Sequence, residues 1–332
     1  MDRLIEAIEA KDNPSVVGLD PTPTLVPPQA ITSQDGFGGP KAQEDGTHGM
    51  ERSGEAPAAQ IVTGFYGFNR AIIDAVKDIV PAVKPQIAMY EAYGSVGFDV
   101  YRLTCQYAQS QGLYVLGDIK RGDIGSTAAA YAKHLTGVNT LDGDINGHPW
   151  HEDAITVNPY FGTDGMTPFL NAAKQADKDL FALVRTSNPS SAEIQELELA
   201  SGERVYEHVA DLVEVWGVDS IGKYGYSRLG AVVGATHPEQ GKKLRERMPH
   251  TFFLVPGYGA QGGTAADVAG MFGAHGRGAI VNSSRGIIGA WKKSGKYRET
   301  MDAQEALDLV GRSARAAAIA MRDDLREALR RP

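Results

Sequence analysis

Residues 114–132 read YVLGDIKRGDIGSTAAAYA. An apolar run delivers Asp118 and Lys120, a short turn adds Arg121 and Asp123, and a helix-like run of small residues follows. Strand, polar turn and helix in that order make one β/α unit, and the unit recurs. Strand-like runs occupy 15–20 (SVVGLD), 82–90 (AVKPQIAMY), 114–120, 154–160 (AITVNPY), 180–186 (LFALVRT), 230–236 (GAVVGAT), 252–259 (FFLVPGYG) and 279–285 (AIVNSSR). Most are continuously apolar, which predicts strands buried on both faces, as in a parallel sheet. Helical patterns separate them, among them GFNRAIIDAV, SVGFDVYRLTCQYAQ, GSTAAAYAKHL and HPEQGKKLRERM. Eight alternating units predict an α/β fold of the (β/α)₈ TIM-barrel type; an open, doubly wound sheet is the alternative.

The 332 residues are 42% hydrophobic and 22% charged, ample for a single barrel domain over 1–332. Net charge is −8 with no Lys/Arg block, which argues against a nucleic-acid surface. The sole cysteine, Cys105, excludes an intramolecular disulfide and a cysteine-built zinc site. The first residues lack the apolar core of a secretory signal, and no apolar run is long enough for a membrane span. A cytoplasmic protein is expected.

Two segments break the rhythm. Residues 27–60 are rich in Gly, Pro and polar side chains, which predicts a long loop insertion after strand 1. Residues 137–154 gather Asp142, Asp144, His148, His151, Glu152 and Asp153, but their spacing matches no metal-ligand pattern, so a solvated loop is expected. Residues 302–330 read as a charged amphipathic helix.

In a barrel the C-terminal strand ends face the active site. Asp20 ends strand 1, Lys84 sits in strand 2, and Asp118 and Lys120 lie two apart on strand 3, so both point to one side. Arg185, Thr186, Ser187 and Asn188 end strand 5. Each alone reads equally well as a structural ion pair or a tight turn; together they converge on one mouth. Barrels often bind phosphate with the loops after strands 7 and 8. Gly257, Gly259, Gly262 and Gly263 let backbone N–H groups approach an anion, Gln261 offers an amide, and Arg285 offers a planar cationic fork. A small phosphorylated metabolite is implied. Lys84, Asp118, Lys120 and Asp123 alternate in sign. Carboxylates keep such lysines protonated, making them proton donors rather than Schiff-base nucleophiles. A proton donor beside fixed negative charge suits a reaction that makes a carbanion and quenches it.

DIKRGDIGST, VKPQIAMYEAYG, TSNPS and VPGYGAQGG together resemble the orotidine 5′-phosphate decarboxylase family, in its longer, mycobacterial-type bacterial branch, from VGLDPTP to VNSSRGI. The resemblance implies a homodimeric (β/α)₈ barrel with shared active sites, using neither metal nor organic cofactor. It makes Lys120 the proton donor to C6 of the pyrimidine and sets Asp118 beside the substrate carboxylate. Lys84 completes the charged network and contacts the ribose, and Asp20 bonds a ribose hydroxyl. Asp123, with Ile124 and Thr127, reaches the partner subunit's site. Ser187 reads the pyrimidine edge, while Gln261 and Arg285 hold the 5′-phosphate. The sequence departs from the family at Ser284, where many members carry Gly before the phosphate-binding Arg. Two other readings stay open. Sugar-phosphate decarboxylases and hexulose-phosphate synthases share Asp-x-Lys-x-x-Asp but use Mg²⁺, and would need a further acidic ligand, for which Glu91 is the candidate. A non-catalytic nucleotide-binding barrel is the other.

Overall fold

A computed structural model describes residues 1–32, 55–138 and 149–330. Helix α1 (Asp2–Lys11) leads into β1 (Ser15–Leu19), followed by α2 (Pro28–Thr32) and α3 (Glu55–Val76). Next come β2 (Ala82–Pro85), α4 (Ala88–Glu91), α5 (Gly94–Ser110), β3 (Tyr114–Arg121), α6 (Gly125–Tyr131) and α7 (Lys133–Thr136). The chain continues through β4 (Ala154–Val157), α8 (Gly162–Ala176), β5 (Asp179–Arg185), α9 (Ala192–Gln195), α10 (Val205–Gly217), β6 (Leu229–Val233) and α11 (Pro238–Arg247). It ends with β7 (Phe253–Pro256), α12 (Ala265–Ala269), β8 (Ala279–Ser283), α13 (Arg285–Ile288) and α14 (Ala303–Arg330).

The eight strands run parallel, each paired with the next, and β1 pairs with β8 to close the barrel. The TIM-barrel expectation holds, and the doubly wound sheet is excluded by that closure. Side chains alternate across each strand with a period of two. Val16, Ala82, Leu116, Ala154, Phe181, Val232, Leu254 and Ile280 form one apolar cluster inside the barrel. Their neighbours Val17, Val83, Val115, Ile155, Leu180, Val233, Val255 and Val281 belong to the larger cluster shared with the surrounding helices. Both faces are apolar because both are buried, which is why the strands read as continuous runs. Helix α14 closes the helical ring against α3. Gly311, Ala314 and Ala318 lie on its buried face, and a Cβ at residue 311 would come within 3.1 Å of the Ala71 carbonyl. Small residues there permit the close approach.

Three expectations need correction. The segment 27–60 is not loop throughout: 28–32 are helical in α2 and 55–60 open α3, while 33–54 lie outside the described residues. The run 82–90 is a strand only to Pro85. Its continuation turns into α4, with Met89 N donating to the Gln86 carbonyl and Tyr90 N to that of Ile87. Glu152 and Asp153 are buried rather than solvated. Glu152 accepts from the Tyr101 hydroxyl at 2.5 Å and lies 2.8 Å from His134 Nδ1; Asp153 accepts from Arg3 at 2.9 Å and Val115 N at 2.8 Å. They are the polar underpinning of β4, each buried acceptor satisfied. Asp142, Asp144 and His148 lie outside the described residues.

Candidate active site

The two-residue period carries the inner apolar layer one step toward the C-terminal mouth. Above Ala82 comes Lys84, above Leu116 comes Asp118, above Ala154 comes Thr156, and above Ile280 comes Asn282. These side chains line a cavity of about 450 Å³ with Asp20, Lys120, Ser187, Gly257, Gln261 and Arg285. A smaller cavity, about 290 Å³, opens at the other end of the barrel beside Pro14 and Phe252. Two of the arginines lining it, Arg277 and Arg326, are paired with Glu9 and Asp12.

Asp118 is the centre of the larger site. Its Oδ2 accepts from Lys84 Nζ at 2.5 Å and Gln86 Nε2 at 3.0 Å. Its Oδ1 accepts from Lys120 Nζ and from Thr156 Oγ1, the latter at 3.1 Å. Burial alone pushes a carboxyl up, but the two ammonium groups outweigh it and hold Asp118 well below the usual carboxylate range. Burial likewise pushes Lys84 down, and Asp118 and Asp20 more than compensate, so Lys84 stays above the ordinary lysine value. Asp118 and Lys84 therefore remain charged across the neutral range. Lys120 differs from Lys84 in being 46% exposed, at the rim of the cavity.

Lys120 reaches Asp118 by a route that simple alternation does not describe. The β3–β4 register shifts between Gly117 and Arg121, and Lys120 adopts φ +48°, a left-handed conformation unusual for a side chain with a Cβ. Its backbone N–H is satisfied by Thr156 Oγ1 at 2.9 Å. Thr156 thus braces both Lys120 and Asp118.

The turn after β7 has the backbone its glycines require. Gly257, Gly259 and Gly262 have φ of +104°, +73° and +99°. Tyr258 anchors this turn to α14 through a 2.5 Å bond from its hydroxyl to Asp324. Thr264 and Asp267 form a capping box at the start of α12. The departure at Ser284 is accommodated by a second glycine: a Cβ at residue 18 would fall 1.9 Å from Ser284 Oγ. The extra side chain occupies space that Gly18 leaves open.

Of the residues singled out in the sequence, Asp20, Lys84, Asp118, Lys120, Ser187, Gly257, Gln261 and Arg285 come together in the cavity. Gly259 shapes the same turn without lining it. Asp123, Ile124 and Thr127 lie outside the cavity, before and within α6. Asp123 Oδ1 accepts from Ile124 N at 2.7 Å, and Ile124 is 54% exposed. Arg185 is not at the mouth. The β5–β6 register shifts between Leu183 and Arg185, and the side chain is buried among the outer helices. Gln86, Thr156 and Asn282 were missed, although the two-residue period above Lys84, Ala154 and Ile280 points to each. Glu91 does not line the cavity; it accepts from Arg121 at 2.9 Å. Among the described residues no three His, Cys, Asp or Glu side chains gather as a metal-binding group.

Residues 68–300 match the family described as Orotidine 5′-phosphate decarboxylase / HUMPS family. The chain is 37% identical over 329 residues to the orotidine 5′-phosphate decarboxylase of Clostridium acetobutylicum, with 99% of each chain covered. This chain belongs to the orotidine 5′-phosphate decarboxylase / HUMPS family. A further decarboxylase relative, from Clostridium perfringens, is 42% identical over 264 residues, covering 80% of this chain and 85% of its own. Among solved structures, Leishmania donovani OMP decarboxylase superposes with a TM-score of 0.67 at 28% identity, covering 99% of this chain and 98% of the other. A candidate family member from Streptomyces avermitilis gives 0.71 at 30% identity, covering 99% and 95%. The family match spans the charged strand β3 and both loops of the proposed phosphate grip. No helix among the described residues is long and apolar enough to cross a membrane.

Proposed function

We propose that this chain is a cytoplasmic, single-domain enzyme converting orotidine 5′-phosphate to uridine 5′-phosphate in pyrimidine biosynthesis, with neither metal nor cofactor. The observation that carries the reading is the Lys84–Asp118–Lys120 chain at one side of a cavity that Gln261 and Arg285 also line. The C6–carboxylate bond breaks, CO₂ leaves, and the electron pair stays on C6. The Lys120 ammonium stabilises that charge and transfers a proton to C6, then regains one from solvent. Asp118 holds Lys120 in place and disfavours the substrate carboxylate beside it. Asp20 Oδ1 is buried without a hydrogen-bond partner and suits a ribose hydroxyl, next to Lys84. Ser187 takes the pyrimidine edge. Gly234 permits this, since a Cβ there would fall 2.9 Å from Ser187.

A spectrophotometric assay for loss of orotidine 5′-phosphate, with product identified as uridine 5′-phosphate, tests the reading; activity should survive EDTA. Turnover of a sugar phosphate instead, dependent on Mg²⁺, would replace it with the other chemistry of this family.

Arg285→Ala should lower kcat/KM for orotidine 5′-phosphate by roughly 10²-fold, since bonds to a charged group contribute about 1.5–3 kcal/mol each. Orotidine, which lacks the phosphate, should react equally with both forms. An equal penalty on both substrates would place the effect elsewhere than phosphate.

The active form is proposed to be a homodimer whose sites each borrow Asp123, Ile124 and Thr127 from the partner. Support comes from exposed apolar groups near the β3 and β4 ends: Ile124 at 54%, Phe161 at 44% and Tyr160 at 82%. Lys120→Ala and Asp123→Ala should each be nearly inactive alone. After subunit exchange, one site of each hybrid dimer carries both lesions and the other neither. About a quarter of wild-type activity should then return at equal, random mixing. Verified exchange with no recovery would mean that Asp123 acts within its own chain.

A further inference from the structure

Arg185 is fully buried, and its guanidinium donates in every direction. Nε donates to Gln240 at 2.6 Å. Nη1 donates to Ser191 at 2.5 Å, Gln195 Oε1 at 3.0 Å and the Thr186 carbonyl at 3.3 Å. Nη2 donates to Glu196 at 2.5 Å and approaches His237 Nδ1 at 3.4 Å. Burial and the adjacent guanidinium push the His237 imidazole down, which keeps it a neutral acceptor. A guanidinium has donors and no acceptor, so it fixes the polarity of whatever chain begins on it.

One such chain runs to the cavity. Gln195 Oε1 accepts from Arg185 Nη1 and from Thr186 N, each at 3.0 Å. Two donors on one atom identify it as the amide oxygen, so Nε2 must face the other way. It donates to Thr186 Oγ1 at 2.7 Å. That hydroxyl, having accepted, donates its own proton to Asn188 Oδ1 at 2.7 Å. The Asn188 carbonyl is thereby turned toward Thr186, and Nδ2, on the opposite side of the same amide, is the group this exposed residue turns away from the network, at the cavity that Asn188 lines.

We propose that Asn188 is a specificity-determining residue whose amide N–H donates to a carbonyl oxygen of the pyrimidine, and that Arg185 and Gln195 are positioning residues that impose this polarity. The inference rests on the pyrimidine lying beside Thr186–Asn188, as in the proposed function. It selects a base edge that presents an acceptor and rejects one that presents a donor.

The test uses two isosteric changes and two probes, uridine 5′-monophosphate and ribose 5-phosphate, the second lacking the base. Asn188→Asp replaces the donor with an acceptor. Gln195→Glu removes the donor to Thr186, so the hydroxyl turns to the new carboxylate and Asn188 rotates to present its oxygen. Each variant should lose at least about tenfold in affinity for uridine 5′-monophosphate, the cost of an unpaired acceptor facing an acceptor, while ribose 5-phosphate binding stays within about twofold. Thermal melts establish that both variants fold; if Gln195→Glu does not, Asn188→Asp decides the test, because its change of polarity does not depend on Gln195. Equal losses on both probes, or no loss on either, would overturn the proposal while leaving the decarboxylase reading intact. A wild type that binds both probes equally would also overturn the proposal, while turnover of orotidine 5′-phosphate decides the decarboxylase reading separately.

Discussion

Lys120→Ala should fold and melt like wild type yet decarboxylate orotidine 5′-phosphate at least about 10⁴-fold more slowly, because the variant loses both the charge that stabilises C6 and the proton that quenches it. The side chain is 46% exposed, so its removal leaves no cavity in the core. Nothing replaces it. Lys84 is 4% exposed and committed to Asp118 beneath the rim, and Arg285 belongs to the other end of the proposed substrate. Asp118 keeps its bonds from Lys84, Gln86 and Thr156 and stays ionised. Steady-state kinetics on both lysine variants, with melts to establish folding, provide the check. If Lys120→Ala keeps most of its kcat while Lys84→Ala does not, the proton comes from Lys84.

Asp118→Asn should be damaging twice over. Activity should fall by roughly 10³-fold, since neither lysine is then held. Stability near neutral pH should fall by about 3–5 kcal/mol, the cost of leaving a buried charge without its partner. The pH dependence carries the sign of the effect. In wild type the folded-state value of Lys84 lies above the ordinary 10.5, so its contribution is complete below 10.5 and is lost as pH rises through that higher value. Asp118 is depressed, so its contribution is present above the ordinary 3.8 and is lost as pH falls through the folded-state value. In Asp118→Asn, burial dominates and drives Lys84 below its ordinary value. The unfolded chain then binds the extra proton, and the variant gains stability as pH rises toward 10.5. Denaturant unfolding at about pH 7 and about pH 10 should show the gap to wild type narrowing. A constant gap would mean that Lys84 keeps its charge without Asp118.

By itself the sequence determined the architecture and many of the polar residues that meet in the cavity. Most of the eight strands read as continuously apolar runs, such as 229–233, because a barrel strand is buried on both faces, and burial is written directly in composition. The same rule located Lys84 and Asp118, polar residues in apolar runs that need partners. Short-range features were legible too: the left-handed glycines of the turn after β7, and the helix 303–330. Tertiary structure alone decided the rest. Arg185 faces the outer helices because the β5–β6 register slips beside it, and register belongs to a pair of strands rather than to either one. Lys120 meets Asp118 through a left-handed backbone that Thr156, a strand away, holds in place. Ser284 fits because Gly18 lies opposite it, and Glu152 is buried because Tyr101 and His134 satisfy it. Each of these depends on residues distant in the chain, where spacing along the sequence carries no information about who will be the neighbour.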